Sequence, residues 1–162
     1  SHILSQSVDH IDQLILSLAD QSNPVMTAIF VGIDLHSGKG IIYNNGHPNP
    51  LVLCDQAAQP IGELGAMLGS GKAANNKPVS FQLRQGEGLF FYTDGLMQNS
   101  GPDGRRLSYE SLRNILEGSE PDKIKEILLE KCQLIWQDQK NQDDCTFLVI
   151  RRLAPYSQKI SA

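Results

Sequence analysis

The stretch that decides the fold is F-F-Y-T-D-G at residues 90–95, read together with Q-D-D-C-T-F-L-V-I at residues 142–150. Each segment joins an apolar run, typical of a buried strand, to an aspartate: Asp94 ends the first and Asp143 precedes the second. A carboxylate at a strand end is held rigidly yet stays open to solvent, and Mg²⁺ and Mn²⁺ prefer such oxygen ligands. If the fold brings these two ends together, they form part of a metal site suited to phosphoryl transfer.

Each of the two aspartate-containing turns also has a simpler interpretation. Asp94-Gly95 is a favoured turn dipeptide, and Asp143-Asp144 is equally compatible with a solvated acidic loop before a strand. The functional hypothesis therefore depends on the two segments occurring together and on the motifs around them.

Hydrophobic periodicity predicts a mixed α and β chain. The predicted helices cover residues 7–20, Ser108 to Gly118, and a third segment that starts with a capping box at residues 119–122 and ends near Trp136. The predicted strands cover residues 25–34, 40–44, 51–54, 78–83, 88–93 and 145–152.

Residues 55–77 carry the weakest pattern. Apolar residues at 61, 64, 67 and 68 are compatible with a short helical turn. The G-S-G-K run at residues 69–72 lacks the glycine spacing and the following Ser or Thr of a phosphate-binding loop. We therefore predict a flexible surface loop there.

Composition limits the function classes. The 162 residues carry a net charge of −4 and a pI of about 5.5, which argues against nucleic acid as a partner. No apolar run approaches the ~20 residues needed to cross a bilayer. We expect one domain over residues 1–155, a flexible tail over 156–162, and reduced, buried cysteines in a cytoplasmic protein.

Four motifs in order carry a family resemblance. They are M-T-A-I-F at residues 26–30, Y-N-N-G-H-P-N-P-L at 43–51, F-Y-T-D-G-L at 91–96 and D-D-C-T at 143–146. From about residue 8 to residue 152, their sequence resembles the later part of a SpoIIE-like phosphatase of the PPM family, the bacterial metal-dependent serine/threonine protein phosphatases.

The resemblance implies an α+β fold, an α-β-β-α sandwich of two antiparallel sheets flanked by helices, here truncated at its N-terminus. It places Asp94 and Asp143 as ligands of a two-metal Mn²⁺ or Mg²⁺ site. Gly95 would let the backbone turn tightly beside the ion, and Asp144 would orient a bound water or a ligand. His47 is a further candidate, although its Gly-His-Pro segment is a structural turn in the family.

The chain departs from the family pattern in one respect. The opening G-D-x-x-G segment, whose aspartate and glycine carbonyl complete the family's metal site, is absent from this sequence. We therefore expect a fragment of a longer protein with low activity of its own. No catalytic residue beyond the metal ligands and no substrate-binding residue is assigned.

The function implied by the resemblance is hydrolysis of phosphoserine or phosphothreonine on a bacterial signalling protein, such as an anti-sigma factor antagonist, under an upstream sensor or regulatory domain that could include a membrane anchor. The alternative is a non-catalytic pseudophosphatase that binds a regulator in the same pathway. Because truncation of a sandwich uncovers apolar surface, we also expect a homodimer that buries Ile11, Leu14, Ile15 or Leu18.

Overall fold

The computed structural model describes residues 2–18, 24–54, 57–137 and 143–153. The helices are α1 (His2–Ser17), α2 (Gly95–Gln98), α3 (Tyr109–Gly118) and α4 (Ile124–Trp136). The strands are β1 (Ala28–Ile33), β2 (Lys39–Asn45), β3 (Leu51–Cys54), β4 (Ala57–Pro60), β5 (Val79–Gln82), β6 (Gly88–Tyr92) and β7 (Phe147–Arg151).

The strands form two antiparallel sheets, which confirms the predicted fold class. One sheet has the order β1-β2-β5 and the other β4-β3-β6-β7. The β1–β2 hairpin closes at Asp34, whose Oδ1 accepts hydrogen bonds from the Ser37 amide (2.7 Å) and hydroxyl (2.9 Å). These bonds lower the pKa of Asp34, so the turn is held by an ionised carboxylate. Gly38 completes the turn with φ of 73°.

Helices cover the outer faces of the two sheets and create two apolar clusters. The α1 cluster joins Val8 to Tyr43 and Leu68, with partly buried residues from β1 and β2 around them. The larger cluster packs α3 and α4 against β3 and β6, with Phe90 stacked between the rings of Tyr92 and Phe147. In β3 and β6, alternate residues face the helices, as expected for a sandwich: these are Leu51 and Leu53, and Phe90 and Tyr92.

Most predicted elements are present, with shifted ends. Helix α1 begins at His2 rather than residue 7, because Leu4 continues its apolar face and packs over Gly32 of β1. Strand β4 and the single-turn helix α2 were not predicted: β4 has no β-branched or aromatic residue and ends in a proline, and a single helical turn is too short to show a period. The Ser108 cap is confirmed, because its hydroxyl accepts a 3.0 Å bond from the Ser111 amide.

Two local predictions were wrong. The capping box at residues 119–122 is not formed: a 3-10 turn, Pro121–Lys123, precedes α4, and its N-cap residue Glu120 makes no side-chain capping bond. The helical turn predicted near residues 61–68 is replaced by an extended loop, in which Leu68 pairs with Met26 through reciprocal backbone bonds of 3.0 and 2.9 Å. Of its apolar residues, Leu68 is fully buried in the α1 cluster, whereas Leu64 is 70% exposed.

The loop predicted to be flexible is instead anchored to α1. Asp12, a fully buried residue of α1, accepts hydrogen bonds from the backbone amides of Gly69 (2.6 Å), Gly71 (3.4 Å) and Ala73 (3.2 Å). Positive φ at Gly69 (82°) and Gly71 (71°) lets the amides of the alternate residues 69, 71 and 73 converge on one point, and converging backbone amides bind anions. The anion bound here is a side chain of the protein itself.

Some predictions fall outside the described residues. These are the end of the first predicted helix at residues 19–20, positions 55–56, and the tail at 156–162. The domain boundary at residue 155 stays a prediction. Across the described ranges, no helix combines the length and apolarity that a membrane span requires.

We predict opposite outcomes for two adjacent leucines of α4. Leu128 is fully buried against the larger cluster, whereas Leu129 is 48% exposed. Leu128→Ala should lower the free energy of unfolding by about 2–5 kcal/mol, because it leaves a cavity. Leu129→Ala should change it by less than about 1 kcal/mol. Urea denaturation followed by circular dichroism measures both, and equal losses would contradict the assigned inner face of α4.

Candidate functional site

The end of β6 and the approach to β7 are joined by a compact set of hydrogen bonds. The Thr93 amide donates to the Thr146 carbonyl oxygen (2.9 Å), and the Thr146 amide donates back to the Thr93 hydroxyl oxygen (2.9 Å). The same hydroxyl donates to the Asp144 carbonyl oxygen (3.1 Å). The fold therefore brings together the two acidic segments that the sequence placed fifty residues apart.

Gly95 makes the closest approach between the two segments. A Cβ atom built on this residue would lie 2.3 Å from the Asp144 carbonyl oxygen and 2.9 Å from its carbon. Such distances are far inside van der Waals contact, so no other residue fits without displacement. The glycine is needed for this close packing of backbones, whereas the sequence analysis assigned it to a tight turn beside an ion.

The buried amide of Asn99 completes the connection. Its Nδ2 donates to the carbonyl oxygens of Gly95 and Asp143, both at 2.8 Å, while its Oδ1 accepts from the Asp143 amide at 2.9 Å. Asn99 thus fixes the backbone on both sides of the site. Sequence reasoning missed it, because a single asparagine at the end of a one-turn helix carries no recognisable pattern.

The carboxylates of Asp94 and Asp143 are exposed at the two joined ends. Asp94 Oδ2 accepts a bond from Gln98 Nε2 and Asp143 Oδ1 accepts one from the Asp144 amide, each at 2.8 Å. Accessible oxygens on a fixed backbone fit the chemistry of a hard divalent cation. The set is incomplete, however, because within the described ranges no three His, Cys, Asp or Glu side chains form a group able to hold a metal ion.

A cleft of about 390 Å³ connects Asp94 to His47. Thr27, Leu64 and the Gly46–Asn49 turn also line it. The His47 ring is oriented by a 3.3 Å contact between its Nδ1 and the Thr27 hydroxyl. Its backbone is fixed by buried Asn44, which accepts from the His47 amide and donates to the His47 carbonyl oxygen, both at 2.8 Å.

The sequence-predicted residues therefore fall into two groups. Asp94 and His47 share the cleft, while Asp143 and Asp144 contact the Asp94 segment through the backbone. Thr27 was not among the candidate residues, although it lies inside the M-T-A-I-F motif that supported the resemblance.

The thiols of Cys132 and Cys145 lie in partly or fully buried surroundings that keep them protonated. Burial raises the pKa of the Cys132 thiol to about 11, with a smaller contribution from the nearby Cys145. Burial, followed by the negative charge of Asp143, also raises the pKa of Cys145. Both thiols therefore stay protonated near neutral pH and are poor nucleophiles.

Two glycine substitutions test the close approach at Gly95. Gly95→Ala should destabilise the protein by about 1–3 kcal/mol and displace residues 143–146, because the new methyl group meets a backbone carbonyl. Gly118→Ala is the control, since a Cβ there meets nothing within 4 Å. It should be neutral or stabilise helix α3 by up to about 1 kcal/mol. Chemical denaturation and amide NMR shifts distinguish the outcomes, and a harmless Gly95→Ala would refute the constraint.

No curated protein sequence matches the chain. The fold matches the RsbU and RsbW domains of Rv1364c from Mycobacterium tuberculosis with a TM-score of 0.73 and 25% identity, covering 94% of this chain and 42% of that one. It matches the SiaA-PP2C domain of Pseudomonas aeruginosa with a TM-score of 0.73 and 18% identity, covering 92% and 68% of the two chains.

A further match is the phosphatase domain of the cell fate determinant SpoIIE from Bacillus subtilis, with a TM-score of 0.64, 20% identity, and coverage of 97% of this chain and 69% of that one. The chain thus spans less than half of the first structure and about two thirds of the other two. The profile of the family described as Stage II sporulation protein E (SpoIIE) matches residues 1–153. The chain therefore belongs to the SpoIIE family and has the fold of its PP2C-type phosphatase domains.

Proposed function

We propose that this chain is part of the catalytic domain of a metal-dependent phosphatase that removes phosphate from phosphoserine or phosphothreonine of a bacterial signalling protein in the cytoplasm. The observation that carries the proposal is the joining of the Asp94 and Asp143 segments by Gly95 and Asn99. Membership of the SpoIIE family supports the reaction class. A small anti-sigma factor antagonist is the proposed type of substrate, and an upstream sensor or regulatory domain is the proposed source of control.

Mn²⁺ or Mg²⁺ is the proposed cofactor, held by Asp94 and Asp143. Among the structural relatives, one SpoIIE phosphatase domain was presoaked with Mn and RsbX was solved in complex with magnesium. When bound, such an ion neutralises phosphate charge and activates the attacking water. Asp94 and Asp143 would bind the ion, and Asp144 would restrain a water or a ligand beside them. The remaining ligands would come from a G-D-x-x-G segment, which this sequence lacks.

His47 is proposed to face the phosphorylated residue of the substrate. It shares the cleft with Asp94, and the Thr27 contact at Nδ1 orients its ring. An imidazole there would donate a hydrogen bond to a phosphate or leaving-group oxygen.

The second candidate function is a non-catalytic interaction module that binds a signalling partner without hydrolysis. The incomplete ligand set within the described ranges favours it, because two carboxylates hold a divalent ion weakly. Turnover that depends on Asp94 separates the two candidates.

We propose self-association through α1. Of the four residues expected at a dimer interface, Ile11 and Ile15 pack inward in the α1 cluster. Leu14 and Leu18 are 51% and 70% exposed. Ile3 lies eleven residues before Leu14, about three whole turns, and extends the same exposed stripe. A second copy presenting the same stripe would cover it by a two-fold contact.

A Mn²⁺ titration tests the proposed metal site. The intact chain should bind Mn²⁺ weakly, and Asp94→Asn or Asp143→Asn should each reduce the affinity by on the order of 10- to 100-fold or more. Asp122→Asn is the control, because its side chain is 88% exposed outside the site and its replacement should change nothing. Calorimetry measures all four proteins.

The same proteins are then assayed with p-nitrophenyl phosphate and millimolar Mn²⁺. We expect little turnover from the intact chain, and that turnover should disappear with Asp94→Asn. Binding without any Asp94-dependent turnover would favour the interaction module. Equal Mn²⁺ affinity in all four proteins would contradict the metal site itself.

Sedimentation velocity across a concentration series tests the assembly. The intact chain should shift from monomer to dimer, and Leu14→Gln with Leu18→Gln should remain monomeric, because the stripe loses its apolar character. Leu134→Gln on α4 is the matched control: Leu134 is as exposed as Leu18 but lies on another helix, so this variant should still dimerise. A strict monomer at high micromolar concentration would rule the dimer out.

A further inference from the structure

The buried carboxylate of Asp12 has no part in the proposed chemistry. It is 0% exposed, and its hydrogen-bond donors are three backbone amides of the segment 69–73. Among the residues that the structure describes, no lysine, arginine or histidine forms an ion pair with it. Burial of a carboxylate costs free energy unless hydrogen-bond donors surround it. Because all three donors belong to one segment, the bonds fix the orientation of this segment relative to α1.

The anchored segment is tightly enclosed. A Cβ built on Gly69 would lie 2.4 Å from the Pro24 carbonyl oxygen and 2.5 Å from Ile15 Cγ2. Its neighbour Leu68 is fully buried and pairs with Met26, one residue before Thr27. A shift of the segment therefore displaces the residue that orients the His47 ring.

Residues 64–68, which lead into the anchored segment, also support the turn that carries His47. The Gly65 amide donates to the Asn44 carbonyl oxygen (3.1 Å), and Asn44 is the residue whose side chain holds the His47 backbone. A Cβ on Gly46 would lie 2.4 Å from Met67 Cγ, so Met67 packs directly under the turn. Leu64, which precedes the anchored segment, is itself part of the cleft wall.

We propose that Asp12 is a positioning residue for the cleft between His47 and Asp94. Its carboxylate holds residues 64–73 in place, and these residues set the cleft wall, the Gly46–His47 turn and the Thr27 contact. The inference deepens the proposed function and rests on it only for its catalytic consequence, because the mechanical connection exists whether or not the cleft holds a substrate.

NMR spectroscopy of the whole chain tests the connection. Asp12→Asn keeps the shape of the side chain, but it removes the charge and turns an NH₂ group toward either the Ala73 N–H or the N–H groups of Gly69 and Gly71. Val8→Ala is the matched control: Val8 is equally buried on α1, one turn earlier, and shares the α1 cluster with Leu68 and Ala73, so it contributes packing beside the segment but no hydrogen bond to it. The signals compared are the amides of Gly46 and His47 and the His47 ring.

We expect Asp12→Asn to shift these signals more than Val8→Ala does, even if both lower the melting temperature equally. If Asp12→Asn shifts only the NMR signals of α1 and residues 66–76, the role of Asp12 is limited to stabilising the fold, and the proposal is overturned.

Hydrogen exchange of the unmodified chain provides a test that needs no variant to fold. If the connection is rigid, the amides of Gly69, Ala73 and His47 open in one cooperative unit and share one opening free energy. Separate opening energies overturn the proposal. Mn²⁺ is added only afterwards: if no protein binds it while His47 responds to Asp12→Asn, the proposed function fails and the positioning role stands.

Discussion

The contact between the Gly95 backbone and the Asp144 carbonyl is the constraint on which the acidic site depends. With no Cβ, Gly95 lets helix α2 begin directly against the segment that leads into β7. Asp94 is then the last residue before the helix, and its side chain is left at the surface of the junction. A larger residue would separate the segments and with them the two carboxylates. Backbone packing therefore sets the spacing of the candidate ligands.

The core of the second sheet determines which residues meet at this junction. Strand β6 lies between β3 and β7, with Phe91 opposite Leu148 and Tyr92 opposite Phe147. A slip of one residue would turn the buried rings toward the wrong layer, because side chains alternate along a strand. It would also break the reciprocal bonds between Thr93 and Thr146. Burial of the aromatic residues thus fixes the register, and the register positions the carboxylates.

Sequence patterns predicted those features that depend on near neighbours. The strands were identified by composition, helix α4 by its hydrophobic period, and the Ser108 cap by residue type. The family resemblance supplied the layer order and the pairing of the two acidic segments. Strand β4 was missed because it has no β-branched or aromatic residue, and helix α2 was missed because a single turn shows no helical period. The capping box before α4 failed because a matching residue pattern does not guarantee the backbone geometry that a cap requires.

The residues that fix the site escaped prediction for a different reason. Asn99 and Asp12 are polar side chains buried on helices, and each bonds to a loop 44 to 61 residues away. Nothing in their local sequence distinguishes them from exposed polar residues.

The loops they hold explain why polar residues are buried there. Residues 143–146 and 64–73 have few ladder partners, so their buried amides need acceptors from elsewhere in the fold. A carboxylate or amide on a packed helix supplies such acceptors and also reduces the conformational freedom of the loop. An apolar residue at either position would fill the space but leave the loop amides without partners. The walls of the cleft and the acidic junction therefore derive their rigidity from the flanking helices, and a change in helix packing reaches the site through these hydrogen bonds.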